Sequence, residues 1–244
     1  MATSDMNYNA EQEIIEFFEK TTTSRSACDK YASEHLAGNV SPVDVQGVCS
    51  YTVYAGPNAE YVVQYCLKSL ALNIDMMNLA KAIYGSLVPE IFFKGQIGKD
   101  HESKEPLYIY VMNRILGISH LEFIMAHDDA PENSFEFSCW RQSLVADNAK
   151  FFALSWKSPQ DVDQTYRDSP THQYRRDLNL LLESLPIRFH PLIKKSIDSL
   201  PAISSLPMVL VHNDFGTFNM LVDENSCNLL GVIDWAEAEI AHSV

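Results

Sequence analysis

The hydrophobic pattern of the chain changes character near residue 117, and this change limits the possible folds more than any other feature. Between residues 43 and 115, apolar residues form short alternating runs that are bounded by turn residues, a pattern typical of β-strands. Beyond Gly117, apolar residues recur at helical spacing. Segregated strands and helices indicate the α+β class. We predict a helical lead-in over residues 1–40, a β-rich N-lobe over 41–115 and an α-rich C-lobe over 116–244.

Individual elements follow from the same periodicity. The pattern predicts helices over residues 10–20, 25–37, 70–84, 135–155, 177–185 and 191–200, and strands at 43–45, 51–54, 61–67, 90–95, 107–112 and 208–211. The large aromatic residues of the predicted helix over 135–155 and just after it, including Trp140 and Trp156, are expected in the hydrophobic core of the protein. Glu237 and Glu239 are expected on a solvated face or at the edge of a cleft.

Composition narrows the class of function. The formal net charge of −14 argues against a broad surface for nucleic acid or anionic membrane, because both need clustered lysine and arginine. No run of 18 apolar residues and no signal-peptide pattern is present, and the five cysteines show no CxxC pairing. We therefore expect a cytoplasmic protein without a nucleic-acid or membrane partner; its oligomeric state cannot be inferred from the sequence.

The segment after residue 207 carries the clearest chemical signal. An apolar strand runs directly into His212, and Asp214 and Asn219 complete an H-x-D-x-x-x-x-N spacing. Kinase-type phosphotransferases use this spacing, with the carboxylate contacting the acceptor hydroxyl and the amide oxygen binding a metal ion. The four intervening residues let the chain expose Asp214, turn at Gly216 and return Asn219 to the same site.

A second acidic residue follows at the end of another apolar strand. Asp234 lies fifteen positions after Asn219 (234 minus 219), with turn residues over 223–226 between the strands. A hairpin would bring Asp234 beside Asn219, and two oxygen donors at adjacent strand ends suit Mg²⁺. The sequence therefore predicts a magnesium site formed by Asn219 and Asp234.

A purely structural interpretation of the same residues is also available. In it His212 ends a strand, Asp214 and Asn219 serve a tight turn, and Asp234 closes the second strand. The ordered combination of the triple, the hairpin and the second acid favours the phosphotransferase interpretation.

The segments VHNDFGTFNMLVD and GVIDWAEAEI resemble the aminoglycoside phosphotransferase family, in its fungal-type branch. The resemblance implies a two-lobed protein-kinase-like fold whose cleft takes ATP, with Asp-Trp where protein kinases have Asp-Phe-Gly. It further implies that Asp214 is the catalytic base or orients the acceptor, that Asn219 and Asp234 hold Mg²⁺, and that His212 supports the loop.

The N-terminal part departs from the kinase pattern. Gln64 aligns with the third-strand lysine that holds the nucleotide phosphates. Lys68 is only four residues further along the chain, but four residues of strand span about 13 Å, so Lys68 could replace that lysine only with a change of register. Glu60 or Asp75 is the candidate acidic partner. Gly47 is the candidate glycine of the first hairpin, although a turn or bulge explains it equally well. The chain also stops ten residues after Asp234, so we expect a C-terminal truncation relative to the family.

These observations predict an ATP- and Mg-dependent phosphotransferase that acts on a hydroxyl of a small molecule. The replacement of the phosphate-binding lysine by Gln64 leaves a catalytically silent nucleotide- or partner-binding module as the alternative. A related enzyme that uses the fold for different chemistry is a third hypothesis.

Overall fold

The structure, a computed structural model, describes residues 8–131 and 133–242. The chain divides into two compact units, one of residues 1–78 and 89–116 and the other of residues 79–88 and 117–244. The helices are α1 (Ala10–Glu19), α2 (Arg25–Leu36), α3 (Ile74–Tyr84), α4 (His120–Ala126), α5 (Phe135–Trp156), α6 (Gln164–Ser184) and α7 (His190–Ser204). The strands are β1 (Ser41–Pro42), β2 (Ser50–Ala55), β3 (Tyr61–Leu67), β4 (Ile91–Ile97), β5 (Leu107–Asn113), β6 (Ile118–Ser119), β7 (Met208–Val211), β8 (Met220–Val222), β9 (Leu229–Val232) and β10 (Glu239–His242). Short 3-10 helices lie at Lys68–Leu70, Gly85–Leu87 and Ile187–Phe189.

The first unit is built on an antiparallel sheet with strand order β1-β2-β3-β5-β4. Alternate residues of its central strands are buried, and these pack with buried residues of α1 and α2 in one core. Each helix begins at a polar cap, since the side chains of Asn9 and Ser24 accept hydrogen bonds from main-chain N–H groups of the first turn. Because Val63 and Tyr65 of β3 face this core, Gln64 between them lies on the opposite face of the sheet.

The second unit combines helices with two small sheets. One sheet has the order β6-β8-β9 and the other pairs β10 with β7, all antiparallel. A buried cluster of Phe123, Leu144, Val222 and Cys227 joins α4 and α5 to the β8–β9 hairpin. Across the described residues, no helix is long and apolar enough to cross a membrane.

The structure confirms the predicted α+β class, with a β-sheet unit and a mainly helical unit. Several element boundaries were wrong. Helix α6 begins at Gln164 rather than near 177, because its polar sequence and internal Pro170 obscure the period. Helix α4 and strand β10 were missed, and the 43–45 strand is instead the two-residue β1 just before it.

Candidate active site

The β8–β9 hairpin forms the frame of the candidate site. Met220 pairs with Val232, and one residue further on the N–H of Ile233 donates to the carbonyl of Asn219 at 2.9 Å. Within the connecting turn, the Asp223 carboxylate accepts from the N–H and the hydroxyl of Ser226, which lowers the pKa of Asp223. The predicted hairpin is therefore present, and its pairing places Asp234 one residue beyond the bond to Asn219.

His212 follows β7 and is buried beneath the loop. Its Nε2 lies 2.9 Å from the carbonyl oxygen of Ile233, so this nitrogen carries the proton and donates. Its ring meets the buried ring of Trp235 edge-on at 4.6 Å, and the Trp235 indole N–H donates to the carbonyl of Val232. Burial lowers the pKa of His212. The ring therefore ties β7 to the segment that carries Asp234.

Asp214 and Asn219 are joined directly. The Asn219 amide nitrogen donates to the carboxylate of Asp214 at 2.8 Å and to its main-chain carbonyl at 2.9 Å. Asn219 is buried, whereas Asp214 is exposed. The Asn219 N–H donates to the carbonyl of Gly216, which closes the turn that the sequence predicted. The Asp214 carboxylate is thus oriented by a buried amide and stays open to solvent.

The chemistry of the donor set fits a hard cation. Because the Asn219 amide nitrogen is used twice, its oxygen is left over, and no described residue donates to it. The exposed Asp234 carboxylate likewise has no hydrogen bond or ion pair in the described ranges 8–131 and 133–242. Amide and carboxylate oxygens are typical Mg²⁺ ligands. The same ranges contain no cluster of three histidine, cysteine or acidic residues that could hold a metal.

Asn213 is a site residue that the sequence analysis missed. Its backbone has a φ of 62°, a left-handed conformation that asparagine tolerates better than most residues. Its side-chain nitrogen donates to the carbonyl of Glu237 at 3.0 Å and to the carboxylate of Glu239 at 2.9 Å. The one indication in the sequence that Asn213 belongs to the site was its position between His212 and Asp214. Asn213 links the loop between His212 and Asn219 to the chain that follows Asp234.

The candidate nucleotide-binding residues belong to the first unit. The Gln64 amide donates to the hydroxyl of Ser50 at 3.1 Å, across the β2–β3 pair. Lys68 lies just beyond β3, in a 3-10 helix, and forms an exposed ion pair with Asp100 at 2.8 Å. The hydrogen bond from Lys68 to Asp100 raises the pKa of Lys68. Lys68 is therefore already engaged with an acidic side chain.

The remaining candidates of this unit have local partners or none. Gly47 lies in the loop before β2 and does not have a positive φ, so its backbone conformation does not itself require glycine. The Glu60 carboxylate accepts from the N–H of Asn58, and Asp75 lies in the first turn of α3. Neither acid forms an ion pair within the part of the chain that the structure describes.

Comparison with known families decides the classification. Residues 51–243 match the model of the phosphotransferase enzyme family, called APH. The chain belongs to this family. The match begins within β2 and spans the hairpin, so it includes every candidate residue except Gly47.

This phosphotransferase is similar in structure to solved aminoglycoside phosphotransferases. A crystal structure of ADP-bound aminoglycoside phosphotransferase APH(2'')-Ib aligns with a TM-score of 0.52 and 17% identity, over 91% of this chain and 73% of the other. A GDP and kanamycin complex of APH(2'')-IIIa aligns at 0.49 and 16%, over 89% and 74%. A search of curated proteins found no match. The first alignment shows that the fold is of the protein-kinase-like type predicted from the sequence.

Proposed function

We propose that the protein transfers the γ-phosphoryl group of ATP to a hydroxyl of a small molecule. The bond between Asn219 and Asp214 carries the proposal. A buried amide holds an exposed carboxylate in place, and the oxygen of that amide is left without a donor among the described residues. The main-chain carbonyl of Asn219 pairs with Ile233, the residue before Asp234. A tight turn does not need oxygen atoms that lack hydrogen-bond donors. Phosphoryl transfer, in contrast, requires both a carboxylate that orients the acceptor and oxygen ligands for a metal ion.

The chemical step assigns one task to each residue. Asp214 accepts a hydrogen bond from the acceptor hydroxyl, aims its oxygen at the γ-phosphorus and takes the proton as the new P–O bond forms. The bond to the bridging oxygen breaks and ADP leaves. Asn219 fixes the carboxylate of Asp214, and the neutral ring of His212 fixes the loop from beneath. His212 is a positioning residue in this account, and the side-chain nitrogen of Asn219 positions Asp214.

Nucleotide and metal belong to the same proposal. The ADP-bound state of the solved relative supports a nucleotide as phosphoryl donor. Asn219 and Asp234 would hold Mg²⁺, which neutralises charge on the nucleotide phosphates when bound. On the first unit, we propose Gln64, Lys68 and Gly47 as nucleotide contacts, on the strength of their sequence positions alone.

The broader assignments are proposals of the same kind. We infer membership of the fungal-type branch from the segments around His212 and Asp234. We infer a cytoplasmic location from the five scattered cysteines, which are free and whose odd number does not suggest a disulfide framework. The family match supports a phosphotransferase, and the comparisons give no support to the silent module.

A thermal-shift titration tests the site without knowledge of the acceptor. Wild type, Asp234→Ala and the control Glu224→Ala, which alters an exposed turn residue, are melted with ATP and Mg²⁺ separately and together. We expect stabilisation by the pair in wild type and control, and its loss in Asp234→Ala. Equal stabilisation of all three proteins would remove Asp234 from the site.

A further inference from the structure

A cavity of about 590 Å³ lies wholly within the second unit, beside the catalytic loop. It is lined by residues of α5, α6, β7 and β10, and by Asn213 and Phe215. These two are the immediate neighbours of Asp214, which does not itself line the cavity. A volume of this size suits a small molecule. The cavity lining therefore includes both sequence neighbours of Asp214, the proposed acceptor-orienting residue.

One wall of the cavity is aromatic. Phe215 stacks on Phe151 with centroids 5.0 Å apart and meets Phe152 edge-on at 5.0 Å. Phe152 is 55% exposed and Trp156 is 50% exposed, although both belong to α5. The prediction that Trp156 lies in the core is therefore wrong. Exposed ring faces grouped around a cavity favour a ligand with a planar apolar body.

The polar end of the cavity is acidic. Glu239 lines it, and Asn213 holds one carboxylate oxygen at 2.9 Å. Within residues 8–131 and 133–242, no lysine, arginine or histidine pairs with Glu239. Tyr174 lies nearby, and burial together with the Glu239 charge raises the pKa of Tyr174. An unpaired carboxylate that is already oriented would bind a cationic group of a ligand.

We propose that this cavity binds the phosphoryl acceptor, and that the acceptor is an aromatic alcohol that carries a protonated amine. The aromatic body would pack on Phe152 and Trp156, the ammonium would bind Glu239, and the hydroxyl would reach Asp214. A sugar with many hydroxyls suits this wall poorly, because its polar groups would lose water against the rings without gaining partners. The inference rests on the proposed function for the direction in which the hydroxyl points.

Binding is measured without nucleotide, so that its outcome is independent of phosphoryl transfer. Three probes are titrated while tryptophan fluorescence is followed. They are 2-amino-1-phenylethanol, 2-phenylethanol, which lacks the amine, and glucosamine, which has an amine but no aromatic ring. Trp156→Phe assigns the signal to Trp156 among the three tryptophans of the chain. We expect the amino alcohol to bind at least about tenfold more tightly than 2-phenylethanol, because a charge-assisted bond contributes that much. It should also bind more tightly than glucosamine, because only the amino alcohol can pack an aromatic ring on Phe152 and Trp156.

Two pairs of variants separate the contributions of charge and ring. Glu239→Gln keeps an acceptor for Asn213 but removes the charge, so it should abolish the preference for the amine, whereas Glu224→Gln should not. Phe152→Ala should weaken both aromatic probes, whereas Phe135→Ala, at an 83% exposed position of the same helix, should not. Melting curves confirm that each variant is folded, and Glu239→Gln gives a second test if Phe152→Ala is not.

The outcomes distinguish this inference from the proposed function. Absence of binding by both aromatic probes, tighter binding of glucosamine, or an unchanged amine preference in Glu239→Gln would overturn the acceptor assignment. Magnesium-dependent stabilisation by ATP would then still support the phosphotransferase. Conversely, tight binding of the amino alcohol without any nucleotide effect would uphold the cavity as a ligand site and remove the phosphoryl-transfer step.

Discussion

The side-chain amide of Asn219 donates to both the carbonyl and the carboxylate of Asp214, at 2.9 and 2.8 Å. The four residues between them, 215–218, are thereby closed into a loop whose two ends share one nitrogen. Since the amide is buried and the carboxylate is open to solvent, the pair resembles a fixed support for a reactive group.

Removal of the Asn219 side chain should therefore weaken the loop as well as the site. We expect Asn219→Ala to lower the free energy of unfolding by about 1 to 2 kcal/mol, since one of its two hydrogen bonds goes to a charged group. Urea denaturation measures the change, with Asn225→Ala in the exposed turn as control. A loss no larger than that of the control would show that the amide does not hold the loop.

The buried imidazole of His212 predicts a pH dependence of stability. Burial lowers the pKa of His212 in the folded protein below its ordinary value of 6.5, so the unfolded chain binds the proton more readily. The ring therefore contributes stability that is complete above pH 6.5 and is lost as the pH falls through the lowered value.

The comparison with His212→Gln isolates this contribution. Glutamine does not titrate, and the remaining histidines are common to both proteins. We expect the stability advantage of wild type over the variant to shrink as the pH falls below 6.5, the ordinary pKa of histidine. Denaturant midpoints at several pH values measure it, and an advantage that grows on acidification would contradict the assignment.

The backbone of Asn213 predicts an order of stability among substitutions. Alanine at a φ of 62° loses the side-chain bonds and also strains the backbone, whereas glycine loses only the bonds. We expect Asn213→Ala to be less stable than Asn213→Gly by about 1 kcal/mol. Thermal melts establish the order, and the reverse order would argue against the left-handed conformation in solution.

The position of Gln64 predicts a gain of function. If this residue stands where other kinase-like enzymes carry their phosphate-binding lysine, Gln64→Lys should raise turnover, by up to about 100-fold for a complete electrostatic contact. Lys68→Gln is the comparison: as a second proposed nucleotide contact it should lower turnover, but only slightly, because Lys68 is already paired with Asp100. ADP release under saturating ATP measures both. A larger effect at Lys68 would exchange the two assignments.

The sequence was most informative where local chemistry and hydrophobic period agree. The hairpin that holds Asn219 and Asp234 was predictable because two apolar strands flank a turn rich in Asp, Asn and Ser. Long helix α5 was equally clear. Both signals are local, so they survive whatever tertiary contacts the chain makes.

The elements that were missed depend on partners distant in sequence. Strand β10 contains two charged or polar residues at its ends, and only its pairing with β7 makes it a strand. The link from Asn213 to Glu239 follows from that pairing and could not be read beforehand. Trp156 was expected in the core because aromatic residues usually are, yet neighbouring elements leave half of it exposed.

The most direct test of the account is the turnover of Asp214→Asn. This substitution keeps an oxygen that can accept from Asn219, so the fold should persist with an unchanged unfolding midpoint. The formation of ADP is measured in the presence of ATP and Mg²⁺, first with water as the acceptor and then with a panel of aromatic and aliphatic alcohols. The account predicts a loss of at least about 100-fold relative to wild type, because the amide cannot take the proton. Wild-type rates in Asp214→Asn would contradict it.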